Sequence, residues 1–272
     1  MVFVAAITSP PSLALAPIAS PTPTPTPTPS LALAEAPAPA PAPVNYRGIA
    51  PVYRRFARAA VKIYLNVHAP IEQRAESAFK LVDDMLTFMV GDNWWARSKK
   101  RVSDEKAARM GTIEAAAIVR IAHLAGELPI VDVGFGYGQV IWQLKMIGAN
   151  VIGGMEMEST YNTIAINSQP IFSRCGNVTL ENDEMGPRWI TAEPRAYYMN
   201  NIALSPKENA ALWAMFKTAP VGSKVITTSV MVSVRHDASW QSKYDGVTLV
   251  ARHSISKGFA YKRGLVCYTR IA

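Results

Sequence analysis

The chain has 272 residues, 49% of them hydrophobic, enough for one folded domain of about 200 residues and a tail. Its formal net charge is +8, and residues 1–44 carry a single charged side chain, Glu35, so the rest is basic enough to favour acidic partners such as nucleic acid or nucleosomes. The two cysteines, Cys175 and Cys267, have no C-x-x-C spacing and no histidine at ligand distance, so neither a zinc site nor a disulfide framework is expected, and no run approaches the roughly 18 apolar residues of a membrane span.

Residues 1–44 are low in complexity, with Pro-Thr alternation over 21–29 and Ala-Pro alternation over 36–43. Proline at every second position removes backbone donors and favours polyproline II, so a disordered, solvated tail is expected. Its first residues lack the basic start of a signal peptide and are broken by Pro10, Pro11 and Pro17, which predicts an intracellular protein of the nucleus or cytoplasm.

Residues 45–125 read as a helical region. Val52, Phe56, Ala59, Ala60, Ile63 and Tyr64 recur at helical spacing with Arg54, Arg55, Arg58 and Lys62 between them. A second helix is expected over 71–90, closed by Gly91, and a third over 114–125. Between them Arg97, Lys99, Lys100 and Arg101 form a basic run, either a solvated loop or a contact for phosphates, next to Trp94 and Trp95.

Residues 126–272 alternate strand and helix. Strands are expected at 130–133, 151–155, 178–180, 196–199 and 224–229, and helices at 139–147, 160–168 and 206–217. The last helix opens on Ser205, Pro206 and Glu208, which supply an N-cap, a first-turn proline and a capping-box acid. Two further runs, 247–255 and 264–271, have no helix between them and suit an antiparallel hairpin. The pattern predicts an α/β fold, a doubly wound Rossmann-like sheet with an antiparallel C-terminal hairpin.

Residues 131–138 read V-D-V-G-F-G-Y-G. An apolar strand ends in Asp132, and Gly134, Gly136 and Gly138 alternate before a helix that opens at Gln139. The next strand ends in Glu156, the position from which an acid holds a ribose diol. Dinucleotide binders favour G-x-G-x-x-G. The order D-x-G-x-G-x-G instead resembles motif I of the class I S-adenosylmethionine-dependent methyltransferases, whose cofactor carries no phosphate.

Further segments narrow the resemblance. These are T-L-E-N-D-E-M-G-P-R-W at 179–189, M-N-N-I-A-L at 199–204 and P-V-G-S-K-V-I-T-T at 220–228. With motif I they resemble the catalytic core of the disruptor-of-telomeric-silencing family, histone lysine methyltransferases that lack a SET domain. Asn200, Asn201 and Ala203 match that family's Asn-Asn-Phe-Ala-Phe fingerprint, while Ile202 and Leu204 replace its aromatics. Met110, Gly111 and Thr112 stand where the family has Tyr-Gly-Glu. The resemblance implies that Asp132, Gly134, Gly136, Gly138 and Gln139 line the methionine side of S-adenosylmethionine. It implies Glu156 at the ribose, Asp183 at the adenine, and Asn200 and Asn201 as the candidate catalytic pair at the acceptor channel.

The implied activity is methyl transfer to a protein lysine, with a histone or nucleosome as partner and nucleic-acid contact through the basic surface. Two alternatives stand beside it. One keeps the cofactor but methylates RNA or a small molecule; the other is a degenerate module that binds nucleosomes or nucleic acid. Trp240, Tyr244, Phe259, Tyr261 and Tyr268 are candidates for either the acceptor wall or the core. His68, His123, His236 and His253 are too scattered to suggest a catalytic pair or a metal site.

Overall fold

A computed structural model describes residues 49–91, 114–201, 204–228, 230–231, 237–245 and 264–272. The Pro-rich tail, Trp94 and Trp95, the basic run at 97–101, residues 110–112, Ile202 and Ala203, the run at 247–255, Phe259 and Tyr261 lie outside the described residues.

The order is α1 (Arg54–Leu65), α2 (Ile71–Val90), α3 (Ala115–Ala125), β1 (Ile130–Val133), α4 (Gln139–Met146), β2 (Val151–Met155), α5 (Ser159–Phe172), β3 (Thr179–Glu181), β4 (Ala196–Met199), α6 (Pro206–Phe216), β5 (Lys224–Thr227), β6 (Trp240–Asp245) and β7 (Leu265–Arg270). The seven described strands form one sheet in the order β3-β2-β1-β4-β5-β7-β6. All pairs are parallel except those of β7, which runs antiparallel to both β5 and β6. This is a doubly wound, Rossmann-like sheet whose last two strands close it as an antiparallel pair.

Strand alternation divides the core. Ile130, Tyr198, Ile226 and Cys267 face the layer that holds α1 to α5. Val131, Val133, Tyr197, Met199 and Val225 face the layer containing α6, where Trp213 packs against Trp240 and Tyr268. Both faces are covered, which is why these strands read as continuous apolar runs. Residues 45–272 make one compact unit, and α1, α2 and α3 share their core with α4 and the sheet. Arg74 of α2 ties this layer together. Its guanidinium donates to Ile63 O and Tyr64 O at the end of α1 and to Met146 O at the end of α4. Three carbonyls at two helix ends thus share one cation.

Two elements differ from the sequence expectation. The helix expected to stop at 168 continues as α5 to Phe172 through Pro170. Ile171 and Phe172 are buried, and Phe172 stacks on Trp142 with centroids 4.8 Å apart, so packing of the last turn outweighs the missing proline donor. The partner of β7 is Trp240–Asp245 rather than 247–255. Residues 241–244 are all exposed. They form a sheet edge, where polar side chains blunt pairing with other chains, so no apolar alternation marks the strand. Of the candidate wall aromatics, Trp240 and Tyr268 are core residues and Tyr244 is exposed.

Candidate functional site

The cleft opens at the carboxyl ends of β1, β2 and β4, where an open parallel sheet leaves room beside its strand tips. Its volume is about 510 Å³. Asp132, Gly134, Gly136, Gln139, Glu156, Asp183 and Asn200, chosen from the sequence for different reasons, all line it.

The glycine turn is built from main-chain hydrogen bonds. Gly134 N and Phe135 N donate to Met155 O at the end of β2, Gly138 N donates to Phe135 O, and Gly136 N donates to Glu156 Oε2 at 2.8 Å. Gly134 and Gly136 have φ of +75° and +55°, and a Cβ on either would meet nothing within 4 Å. Both therefore border open space. The second oxygen of Glu156 accepts from Glu158 N at 2.9 Å, so the carboxylate is held from both sides at the tip of β2. Burial pushes the Glu156 carboxyl above its ordinary pKa, and the amides of Glu158 and Gly136 partly offset this.

Beneath the turn, Asp132 and Tyr198 are register partners on β1 and β4. They are 2% and 1% exposed. Among the described residues, Asp132 Oδ2 and Tyr198 Oη have no hydrogen-bond partner, although both residues line the cleft. Burial, and then the Glu156 charge, pushes the Asp132 carboxyl well above the usual range; burial, and then the Asp132 charge, does the same to the Tyr198 phenol. Orphaned buried polar atoms in a cleft mark a place where a ligand supplies the partner.

On the β3 side, Asn182 Nδ2 donates to the carbonyls of Glu156 and Met157 and ties the two strand tips together. Asp183 accepts from Glu184 N at 2.7 Å and pairs with Arg188 at 2.5 Å, and Arg188 also pairs with Glu181. On the far side, α6 begins with the expected capping box. Ser205 Oγ accepts from Glu208 N, and Glu208 Oε2 accepts from Ser205 N. Leu204, Glu208 and Leu212 form that wall.

Two expected site residues stand behind the cleft. Gly138 is the left-handed N-cap of α4, φ +78°. A Cβ there would lie 2.7 Å from Trp142 Nε1 and 3.3 Å from Ala165 Cβ, and Gly138, expected among the cofactor-binding residues, does not line the cleft; what its bare backbone allows is close packing of α4. Asn201 is 2% exposed and does not line the cleft; its amide donates to Asn209 Oδ1 at 3.0 Å. It ties the residues just past β4 to α6. The sequence reading passed over Tyr198 and Thr228. Strand parity with Asp132 could have shown Tyr198, two residues before Asn200. Nothing in the sequence marks Thr228.

Among the described lining residues the acidic side chains are Asp132, Glu156, Glu158, Asp183 and Glu208, with no lysine, arginine or histidine; burial pushes Asp132 toward its neutral form and Asp183 is paired with Arg188, which leaves Glu156, Glu158 and Glu208 as the remaining acidic lining. In a chain of net charge +8 this is a local inversion. The cleft suits a cationic ligand and repels a pyrophosphate. The amides that a phosphate would need at Gly134, Phe135, Gly136 and Gly138 are already engaged within the protein. Among the described residues no group of three His, Cys, Asp or Glu is placed to hold a metal ion, and no helix is long and apolar enough to cross a membrane.

No protein-family model matches the chain, and no curated protein matches it. Solved structures do resemble it. Cofactor-bound Rv0187 from MTB aligns with a TM-score of 0.44 and 11% identity over 69% of this chain and 94% of that one. A precorrin-6y C5,15-methyltransferase from Geobacter metallireducens aligns with a TM-score of 0.41 and 12% identity over 58% and 88%. An rRNA methylase from Streptococcus thermophilus aligns with a TM-score of 0.40 and 11% identity over 58% and 96%. At such identities the likeness extends no further than the fold.

Proposed function

We propose that the chain is an S-adenosylmethionine-dependent methyltransferase whose acceptor is a lysine amine of a basic protein of the histone type. One observation carries the cofactor reading: the Glu156 carboxylate sits at hydrogen-bond distance from the main chain of the D-x-G-x-G turn, beside a cleft with an orphaned Asp132 oxygen. The residues present fit the cofactor. Glu156 would accept from the ribose and Asp183 from the adenine amine, Gly134 and Gly136 leave open space beside the turn, and Asp132 and Gln139 would hold the amino-acid end. When bound, the cofactor supplies a methyl group activated on a sulfonium, and the acid-lined cleft favours that positive charge.

The acceptor reading rests on the same charge. Carboxylates at the mouth attract a cationic side chain and disfavour a phosphodiester, so a lysine fits better than RNA. Met199, Leu204 and Leu212 also line the cleft, where apolar surroundings would desolvate the amine and favour its neutral, nucleophilic form. Asn200 orients the nitrogen by hydrogen bonding and takes no proton. Positioning and exclusion of water are the protein's contribution to such a displacement. The basic remainder of the surface suits nucleosomes, where protein tails and DNA lie together.

Calorimetric titration with S-adenosylhomocysteine, followed by transfer of labelled methyl to nucleosomes, free histones and RNA, tests both parts. Binding and label on histone are expected. Label on RNA alone replaces the acceptor class, and absence of binding overturns the cofactor reading.

A further inference from the structure

We propose that Thr228, just past the end of β5, is a positioning residue that sets the orientation of the Asn200 side-chain amide in the cleft; this rests on the methyltransferase reading. Met199 and Thr227 are register partners on β4 and β5, so Asn200 and Thr228 leave the sheet side by side. Thr228 Oγ1 lies 2.8 Å from Asn200 Oδ1 and 3.4 Å from Asn201 Oδ1. Amide oxygens only accept, so the hydroxyl donates, and its single proton goes to the nearer oxygen. Asn200 lines the cleft, whereas Thr228 is 1% exposed and does not. The threonine therefore acts through the asparagine.

A chain of side-chain contacts from α6 holds the neighbouring Asn201 amide in place beside this contact. Asn209 Nδ2 donates to Leu204 O and Ser205 O, which as backbone carbonyls accept only. That turns Asn209 Oδ1 toward Asn201 Nδ2, at 3.0 Å, and so turns Asn201 Oδ1 toward Thr228. The hydroxyl thus stands between two amide oxygens; its one proton goes to Asn200 Oδ1 at 2.8 Å, while the Asn201 amide is held by its own bond to Asn209. The terminal torsion of asparagine is soft and nearly two-fold, so its two orientations are chosen by partners rather than by rotamer strain. Without the hydroxyl Asn200 Oδ1 loses this donor, and the soft terminal torsion lets the amide leave the orientation it presents to the cleft.

The test compares Thr228→Val, which keeps the shape, with Thr228→Ser, which keeps the hydroxyl. With labelled S-adenosylmethionine and core histones, Thr228→Val lowers kcat about tenfold, the worth of one oriented hydrogen bond, while its affinity for S-adenosylhomocysteine stays within about twofold. Thr228→Ser restores most of the rate. A spectroscopic readout accompanies this. The side-chain NH2 pair of Asn200, assigned by its absence in Asn200→Asp, shifts in Thr228→Val and returns in Thr228→Ser. Should Thr228→Val not fold, Thr228→Ala with the same readouts replaces it. A Val or Ala variant with the wild-type rate and wild-type Asn200 resonances overturns the proposal. A wild-type protein that binds no S-adenosylhomocysteine overturns the methyltransferase reading instead.

Discussion

Two glycines of the same turn are predicted to fail in opposite ways when each is replaced by alanine. Gly136 and Gly138 both have left-handed φ, +55° and +78°, a conformation that costs an L-residue about 1–2 kcal/mol. At Gly136 the new methyl meets nothing within 4 Å and projects into the cleft. Gly136→Ala is expected to lose about 1–2 kcal/mol of stability from the backbone alone, and its affinity for S-adenosylhomocysteine drops steeply because the methyl occupies ligand space. At Gly138 the methyl lies 2.7 Å from Trp142 Nε1 and 3.2 Å from Trp142 Cε2. Trp142 is 1% exposed and stacked on Phe172 at an interplanar angle of 10°, so the indole has nowhere to go. Overpacking of this kind adds about 1–3 kcal/mol, for a total of about 2–5 kcal/mol. In a domain of this size each kcal/mol lowers Tm by about 2–4 °C. Differential scanning calorimetry and isothermal titration of both variants check this. Gly138→Ala is expected to melt clearly below Gly136→Ala but to bind the ligand better at a temperature where both are folded. Equal melting temperatures, or wild-type affinity in Gly136→Ala, refute the assignment of the two glycines.

Three other outcomes are expected. The folded-state pKa of Asp132 is raised, so the native protein holds a proton that the unfolded chain has released, and this group's contribution to stability falls as pH climbs from about 4 toward that raised pKa. Asp132→Asn removes the penalty; urea unfolding should show it gaining stability on the wild type between pH 4.5 and 7.5, and a gain that is the same at both pH values contradicts the linkage. Arg74→Met strips a cation from three helix-end carbonyls and should cost about 2–4 kcal/mol in urea midpoints, with Arg74→Lys recovering little because a point donor cannot span both helices. Burial pushes the Cys175 thiol up to about 12 and raises that of Cys267, so iodoacetamide at pH 8 should label neither until urea is added; fast labelling of the native protein speaks against their burial.

The features legible in the sequence are those written locally. The turn from Asp132 to Gly138 lies between the end of one strand and the start of one helix, and its glycines answer to backbone angles that a few residues determine. The capping box of α6 spans four residues, and strands buried on both faces announce themselves as apolar runs. Glu156 was legible because one βαβ unit places it next to Gly136. The rest depended on neighbours far along the chain. The edge strand Trp240–Asp245 is polar because solvent covers it, so its ladder with β7 has no periodic signal. Continuation of α5 through Pro170 was decided by Phe172 meeting Trp142.

The paired asparagines share one dipeptide, yet Asn200 borders the cleft and Asn201 is tied to Asn209 behind it. Successive side chains leave the main chain in different directions, and which direction holds the ligand space depends on where α6 docks. The pairing of Asp132 with Tyr198, and of Asn200 with Thr228, follows from the register between β1, β4 and β5. Residue type and spacing determined the kind of cleft this protein has. Sheet register and helix docking decided which polar groups face into it, because those contacts form between segments whose separation in sequence carries no memory of their separation in space.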